Sequence, residues 1–269
     1  MEVVYGLGAL PNAHVPGFVV VGAFDGLHRG HEYLLRQLVT DARRGGARPV
    51  VITFDHHPDE IITGTAPPLL CDPDERLVRM ARAGVDAVVV VHFDARLRET
   101  TFQDFVAMVE DRMPLSGFLM TPDAAFGYQR RGTPEALAEL GARAGVGFEV
   151  TVVPPFALGG RQVRSTDIRS AIAAADLRTA RRLLGRPHAV VGTPSARVGQ
   201  GSVLSFPLPV AFPPEGDYPV AVEPAWRIAV ARGPVRPREA TVRDGQLVVR
   251  GRLPADGPVR VSFRTPRER

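Results

Sequence analysis

Short, almost unbroken apolar runs alternate with helical patterns along the first 185 residues of this chain. The runs are bounded by Gly or Pro and are FVVVGAF (18–24), PVVITF (49–54), VDAVVVVHF (85–93), GFLMT (117–121) and FEVTVVPP (148–155). Continuous hydrophobicity predicts strands that are buried on both faces, as in a parallel sheet. Between the runs, apolar residues recur at helical spacing, and Thr133-Pro134 is typical of a helix start. This alternation predicts a doubly wound α/β domain.

The pattern changes after Gly185-Arg186-Pro187, where helical spacing disappears and 13 of the 25 prolines fall within residues 187–269. Short runs separated by turn residues follow, namely PVAVE (219–223), WRIAV (226–230), QLVVRG (246–251) and VRVSF (259–263). Such runs are typical of a small all-β barrel or sandwich. We therefore expect two domains, an α/β domain at 1–185 and a smaller all-β domain at 186–269.

All 33 basic residues are arginine, and this composition removes several function classes. A P-loop is excluded because its lysine does not occur in the chain, and the lysine-bearing second signature of class I aminoacyl-tRNA synthetases is excluded likewise. The single cysteine, Cys71, cannot form an internal disulfide, and no apolar stretch approaches the length of a membrane span. We expect a cytoplasmic protein that binds neither nucleic acid nor membranes.

The first candidate for chemistry is FDGLHRGH (24–31), which follows the first run and opens a helix. Ligands of open parallel sheets bind at the carboxyl ends of strands, and a helix N-terminus offers unpaired N–H groups to phosphate. His28 and His31 can donate hydrogen bonds to phosphoryl oxygens, while Gly26 and Gly30 allow the backbone to approach a ligand. The alternative is that both histidines are turn residues with local hydrogen bonds.

A second candidate, Ser165-Thr166-Asp167-Ile168-Arg169, follows the fifth run and starts another helix. Its hydroxyls can cap their own helix, which is the simpler interpretation. If this helix start lies beside the first one, two helix ends and Arg169 converge on one polyphosphate. The phosphate-site hypothesis depends on that proximity.

These motifs resemble those of the nucleotidylyltransferase superfamily and, more fully, the bacterial bifunctional riboflavin kinase/FAD synthetases. The matching elements, in the order of the family, are Gly22-x-Phe24-Asp25-Gly26-x-His28-x-Gly30-His31, Thr53-Phe54-Asp55-His56-His57-Pro58, Phe126-Gly127-Tyr128-Gln129-Arg130-Arg131-Gly132, Ser165-Thr166-Asp167-Ile168-Arg169 and Leu184-Gly185-Arg186-Pro187. The resemblance covers residues 18–187 well and the remainder weakly.

The resemblance implies transfer of AMP from ATP to FMN, which gives FAD and pyrophosphate, with Mg²⁺ entering bound to ATP. The catalytic residues it implies are His28, His31, Ser165, Thr166 and Arg169. The residues it implies for nucleotide binding are Gly22, Phe24, Gly30 and Arg130. For the acceptor they are Asp25, Phe54, Asp55, Asp123 and Phe126, of which the three aspartates contact the acceptor or orient loops. The expected partners are the small molecules ATP and FMN, and the oligomeric state is left open.

Several positions depart from the family pattern. Ala124 stands where an aromatic residue is usual, and Arg164 replaces the first of the usual serines, which leaves open another small phosphate ester as acceptor. In the second domain Pro207-Leu208-Pro209-Val210 replaces the Pro-Thr-Ala-Asn signature of the kinase, so we expect riboflavin kinase activity to be lost. A non-catalytic protein that binds flavin or adenine nucleotide is the remaining alternative.

No metal site is expected at Asp55, His56 and His57. Adjacent histidines in a strand point to opposite sides, and the sequence offers no evident third ligand.

Overall fold

The computed structural model describes residues 1–10, 14–143, 147–225, 236–253 and 257–265. The chain forms two compact units, each assembled from segments that are distant in sequence. The first unit comprises Met1–Phe24, Gly30–Pro67 and Arg79–Gln162, and the second comprises Asp25–Arg29, Pro68–Val78 and Val163–Arg269. The domain division at 185/186 stays a prediction, because the compact units group segments by proximity in space and not by sequence.

The first unit is built on a six-stranded parallel sheet with the order β1-β4-β3-β2-β5-β6. Its strands are β1 (Glu2–Tyr5), β2 (Gly17–Val21), β3 (Arg48–Phe54), β4 (Ala87–Val91), β5 (Leu115–Met120) and β6 (Glu149–Val152). The predicted doubly wound sheet is confirmed, and the chain order reverses between β2 and β5, where such sheets bind ligands. The hydrophobicity pattern missed β1, which is a short edge strand with no fully buried residue.

Helices connect these strands, and the sequence pattern predicted four of the six that follow but not the two short ones, Pro58–Thr63 and Ala95–Glu99. The helices are α1 (Arg29–Arg44), α2 (Pro58–Thr63), α3 (Pro73–Arg82), α4 (Ala95–Glu99), α5 (Phe102–Glu110) and α6 (Pro134–Gly141). The start of α6 is set by the Thr133 hydroxyl, which accepts a hydrogen bond from the Ala136 N–H at 3.3 Å. A small hairpin follows β6. Its two strands, β7 (Ala157–Leu158) and β8 (Arg161–Gln162), have two residues each.

The second unit contains two helices, α7 (Ser165–Ala173) and α8 (Leu177–Leu184), and a closed six-stranded antiparallel barrel. The barrel strands are β9 (Ala189–Val198), β10 (Gly201–Ser205), β11 (Gly216–Pro224), β12 (Arg236–Arg243), β13 (Gln246–Arg250) and β14 (Val259–Phe263). The predicted all-β unit is thus a barrel, and the predicted run 226–230 lies outside the described residues. Within the described part of the chain, none of the helices has the length and apolarity needed to cross a membrane.

A buried ion pair fastens the segment Pro68–Val78 to the barrel within the second unit. The Arg260 guanidinium donates to both carboxylate oxygens of Glu75, at 2.9 and 3.1 Å, and to Glu223 at 3.3 Å. The side chain of Glu75 is 1% exposed and that of Arg260 10%. Without Glu75 the buried Arg260 guanidinium keeps Glu223 at 3.3 Å but loses its two shorter hydrogen bonds, so that its charge is poorly compensated.

We expect Glu75→Ala to lower the free energy of unfolding by about 3 to 5 kcal/mol, the cost typical of breaking a buried pair. A double variant, Glu75→Met with Arg260→Met, should recover most of that loss because neither charge remains. Urea unfolding followed by circular dichroism measures both. A single variant as stable as the wild type would show that the pair contributes nothing.

His188 is a buried histidine of the second unit whose titration links stability to pH. It is 2% exposed, donates from Nε2 to the Ala211 carbonyl at 2.7 Å and stacks on Phe263. Burial lowers the pKa of His188 from 6.5 to about 4. Because the unfolded chain takes up this proton first, the contribution to stability is complete above about pH 6.5 and is lost as the pH falls toward 4.

We expect the stability of the wild type to fall between pH 6.5 and 4, with His188 contributing about 1.4 kcal/mol per pH unit. His188→Gln keeps a donor for Ala211 and should make this dependence shallower. His14→Gln, a change at an exposed histidine, is the matched control and should keep the wild-type slope. Urea unfolding at pH 7.5, 6.0 and 5.0 measures the three slopes, and equal slopes would contradict the assignment.

Candidate functional site

The loop after β2 carries the first motif and follows an unusual backbone path. Phe24 and Leu27 have positive φ values of 52° and 34°, which residues other than Gly rarely adopt. Gly26, between them, has a φ of 77°. Strained residues of this kind are held by their surroundings and cluster at functional sites. Gly22 lies close to Phe24, because an added Cβ would be 3.2 Å from the Phe24 ring and would require the ring to shift slightly.

His31 lies in the first turn of α1, in the first unit, one residue after Gly30. Its ring meets the Phe24 ring edge-on, with 5.1 Å between the centroids. The sequence predicted Phe24 for the nucleotide cleft, and here the ring supports the imidazole of His31. The roles of Phe24, Gly30 and His31 toward a nucleotide stay predictions.

Asp25 joins the two predicted motifs within the second unit. Its buried carboxylate accepts hydrogen bonds from the Arg169 guanidinium at 2.5 Å and from the Leu70 N–H at 3.0 Å. The Ser165 hydroxyl donates to the Asp25 backbone carbonyl at 3.1 Å. The start of α7 is therefore in direct contact with the loop that precedes α1. Asp25 was predicted to contact the acceptor or orient a loop, and these bonds fit loop orientation.

Arg186 holds the same loop from a third direction. Its guanidinium donates to the carbonyls of Gly26, at 2.6 Å, and Leu27, at 3.1 Å. His28 follows these residues and is 4% exposed. Burial, together with the positive charge of Arg186, lowers the pKa of His28 from 6.5 to about 4. At neutral pH the imidazole of His28 is therefore uncharged and acts as a hydrogen-bond donor or acceptor.

The N-terminus of α7 has no side-chain cap. Arg164 occupies the cap position with an extended backbone and without a capping hydrogen bond, and the hydroxyl of Ser165 is directed to Asp25 instead. Thr166 is exposed in the first turn. The first N–H groups of an α-helix have no partner within the helix, so this end suits an anion. The simpler interpretation, in which these hydroxyls cap their own helix, does not hold for Ser165.

A cavity of about 630 Å³ opens at the carboxyl ends of β2, β3 and β4 in the first unit. It lies where the strand order reverses, which is the usual ligand position in this fold. Its volume falls within the range of roughly 300 to 1,000 Å³ for small-molecule pockets. Five aromatic residues contribute to its lining, namely Phe54, Phe93, Phe105, Phe126 and Tyr128. The cavity therefore suits a flat, aromatic ligand.

Some of the residues predicted to bind the acceptor line this cavity, and others do not. Phe54 and Phe126 line it, and so do Gly22 and Arg130, which were predicted to bind the nucleotide. Arg130 donates to the backbone carbonyl of Asp123 at 3.0 Å, so that this aspartate adjoins the lining. The predicted roles themselves stay predictions.

Ala124, the position of the missing aromatic residue, packs against the core of the sheet and does not belong to the lining. Its neighbour Ala125 does belong to it.

Asp55, the remaining predicted acceptor residue, forms a cluster with two histidines. Its carboxylate lies 2.6 Å from Nδ1 of His92 and 3.0 Å from Nδ1 of His56. Burial raises the pKa of Asp55, but hydrogen bonds from both histidines and from two backbone N–H groups outweigh it and bring the pKa to about 2. The hydrogen bond and charge of Asp55 raise the pKa of His92.

Sequence reasoning missed three kinds of residue. Arg186 lies in a family motif that indicates no role for it, and the sequence does not predict that Phe93, Phe105 and Tyr128 line a pocket. His92 was overlooked as a neighbour of Asp55. The available signal was position, because His92 and Phe93 directly follow β4, at the edge where a parallel sheet binds ligands.

Known proteins resemble this chain in sequence and in fold. The sequence model of the FAD synthetase family matches residues 11–167. A bifunctional riboflavin kinase/FMN adenylyltransferase of Escherichia coli K12 is 33% identical over 210 residues, which cover 77% of this chain and 66% of that protein. A protein of the same description from Pseudomonas fluorescens is 33% identical over 193 residues, or 71% of this chain and 61% of that protein.

A solved structure, described as a macrolide-efflux protein from Streptococcus pneumoniae, has the same fold. It is 24% identical, with a TM-score of 0.80, over 98% of this chain and 90% of the other. The chain thus spans about two thirds or less of the two curated relatives, while the family match covers more than half of the chain itself. On this evidence the chain belongs to the FAD synthetase family.

Proposed function

We propose that this chain is an FMN adenylyltransferase, which transfers AMP from ATP to FMN and releases pyrophosphate. The observation that carries the proposal is the contact between the two motifs, in which Ser165 and Arg169 bind the backbone carbonyl and the carboxylate of Asp25. Family membership and the aromatic cavity at the reversal of the sheet support the same function.

The reaction forms one bond and breaks one. A phosphate oxygen of FMN attacks the α-phosphorus of ATP, and the bond from that phosphorus to the bridging oxygen of pyrophosphate breaks. The attacking oxygen is already anionic, so no general base is needed to create a nucleophile. The contribution of the protein is to align the two phosphates and to stabilise the charge that accumulates around the α-phosphorus. Mg²⁺ enters with ATP as part of the substrate.

On the ATP side, His28 and His31 are proposed to donate hydrogen bonds to phosphoryl oxygens. The low pKa of His28 makes it a neutral donor, whose contribution is directional and does not depend on charge. Thr166 and the free N–H groups at the start of α7 are proposed to bind the leaving pyrophosphate. Arg169 uses two donors on Asp25 and Pro68, and a guanidinium has five, so others remain for phosphate.

On the acceptor side, the flavin ring of FMN is proposed to occupy the aromatic cavity. Phe54, on β3, and Phe126, after β5, both line this cavity. Offset or edge-to-face contacts between aromatic rings add about 0.5 to 1.5 kcal/mol each beyond the burial of their area. This preference for a flat ring system favours FMN over a sugar phosphate, which is the second acceptor to be considered.

Loss of riboflavin kinase activity is part of the proposal. Leu208 and Val210 offer neither a hydroxyl nor an amide side chain for ATP and its magnesium ion. The backbone of this stretch instead pairs with Leu69, whose N–H donates to Pro209 at 2.8 Å and whose carbonyl accepts from Ala211 at 2.9 Å. The barrel is therefore proposed to serve the fold of the second unit.

An assay of pyrophosphate release with ATP and Mg²⁺ tests the activity. We expect turnover with FMN, little with sugar phosphates, and none with riboflavin, which lacks the attacking phosphate. Formation of ADP and FMN from riboflavin would overturn the loss of the kinase. Binding of FMN without any turnover would instead support the alternative of a non-catalytic flavin-binding protein.

We expect His31→Ala to lower kcat by about 100-fold or more while ATP still binds, since a donor to the charged transition state is lost. His14→Ala, at an exposed histidine outside both motifs, should leave kcat unchanged. Steady-state kinetics and ATP titration calorimetry separate turnover from binding. A normal kcat in His31→Ala would remove this histidine from catalysis.

A further inference from the structure

The cluster of Asp55, His56 and His92 lies at the carboxyl ends of two adjacent parallel strands. β3 ends at Phe54 and β4 at Val91, and these two residues are partners in the register of the sheet. Asp55 continues β3 by one residue, and its N–H donates to the Val91 carbonyl at 3.1 Å. Asp55 and His92 therefore lie side by side, each one residue beyond the end of a strand in the parallel sheet.

The metal-binding atoms of the three side chains lie close together. One ligand atom from each, an imidazole nitrogen or a carboxylate oxygen, lies within 4.8 Å of the other two. Ligands of a tetrahedral ion at about 2.0 to 2.2 Å are roughly 3.3 Å apart, so small movements of side chains are enough to enclose an ion. The 2.6 Å contact between Asp55 and His92 is a hydrogen bond, whose proton an ion would replace, and Nδ1 of His56 lies 3.0 Å from the same carboxylate.

The carboxylate is already oriented by the backbone. Its Oδ1 accepts hydrogen bonds from the N–H groups of His56, at 2.7 Å, and Phe93, at 3.1 Å. Such outer hydrogen bonds fix a ligand in place and strengthen binding. The side chains of Asp55, His56 and His92 are 32%, 41% and 66% exposed, so that an ion and its remaining water molecules can enter.

We propose that Asp55, His56 and His92 form a binding site for a divalent first-row transition metal ion, of which Zn²⁺ is the best match. Two imidazoles and one carboxylate, with water in the open position, are a donor set that suits Zn²⁺ and does not suit Mg²⁺, which prefers oxygen ligands alone. The proposal concerns an ion other than the Mg²⁺ that accompanies ATP, and it does not rest on the proposed activity.

Titration of the tag-free protein with Co²⁺ and Zn²⁺ tests the site. Co²⁺ should give the visible d–d absorption of a four-coordinate ion, and calorimetry should give one Zn²⁺ per chain. His92→Ala and Asp55→Asn should each weaken Zn²⁺ binding by about 100-fold or more, because losing even an outer hydrogen-bond partner costs roughly 10- to 100-fold. His14→Ala, which removes an exposed histidine elsewhere, should bind as the wild type does.

Circular dichroism spectra and melting temperatures show whether each variant is folded. Three results would overturn the proposal: no saturable binding, a six-coordinate spectrum identical to that of Co²⁺ in buffer, or equal affinity in His92→Ala and the wild type. In each of these cases the cluster is only an ion pair between Asp55 and protonated histidine. Neither the presence nor the absence of Zn²⁺ binding depends on whether the protein adenylylates FMN.

Discussion

The buried ion pair between Asp25 and Arg169 is the interaction on which the arrangement of the candidate site depends. The two residues are 144 positions apart, and each belongs to a different motif. Because the carboxylate is 5% exposed, its charge requires compensation, which Arg169 and the Leu70 N–H supply. This ion pair holds the loop before α1 against the start of α7. Loss of either residue would leave the charge of the other buried without its ion-pair partner.

The same loop combines strain with support. Phe24 and Leu27 have positive φ values, and hydrogen bonds from Arg186 and Ser165 to the carbonyls of Asp25, Gly26 and Leu27 hold the path that these values require. Burial among these groups also keeps His28 uncharged near neutral pH. Electrostatics and backbone geometry therefore fix the conformation of one short segment and keep its histidine neutral.

Parallel strands place two further features at one edge of the sheet. The aromatic cavity and the Asp55–His56–His92 cluster both use residues at the carboxyl ends of β3 and β4. Phe54 and Phe93 contribute to the lining of the cavity, whereas Asp55 and His92 belong to the cluster. In the second unit, Glu75 and Arg260 form another buried ion pair, which attaches the segment Pro68–Val78 to the barrel. The barrel accordingly contributes to the stability of the second unit.

The sequence by itself determined the elements and the family. Unbroken apolar runs and helical spacing predicted five of the six strands of the sheet, because burial on both faces leaves a local signature, whereas the short edge strand β1 leaves almost none. The motif FDGLHRGH and the helix start at Ser165 were likewise recognisable, because each is a short contiguous stretch of sequence. Only the tertiary structure decided that Arg169 binds Asp25, that Arg186 clamps the loop, and that His92 completes a cluster with Asp55. Those contacts join residues 37 to 160 positions apart, and no local pattern of hydrophobic and polar residues encodes which distant side chains will meet.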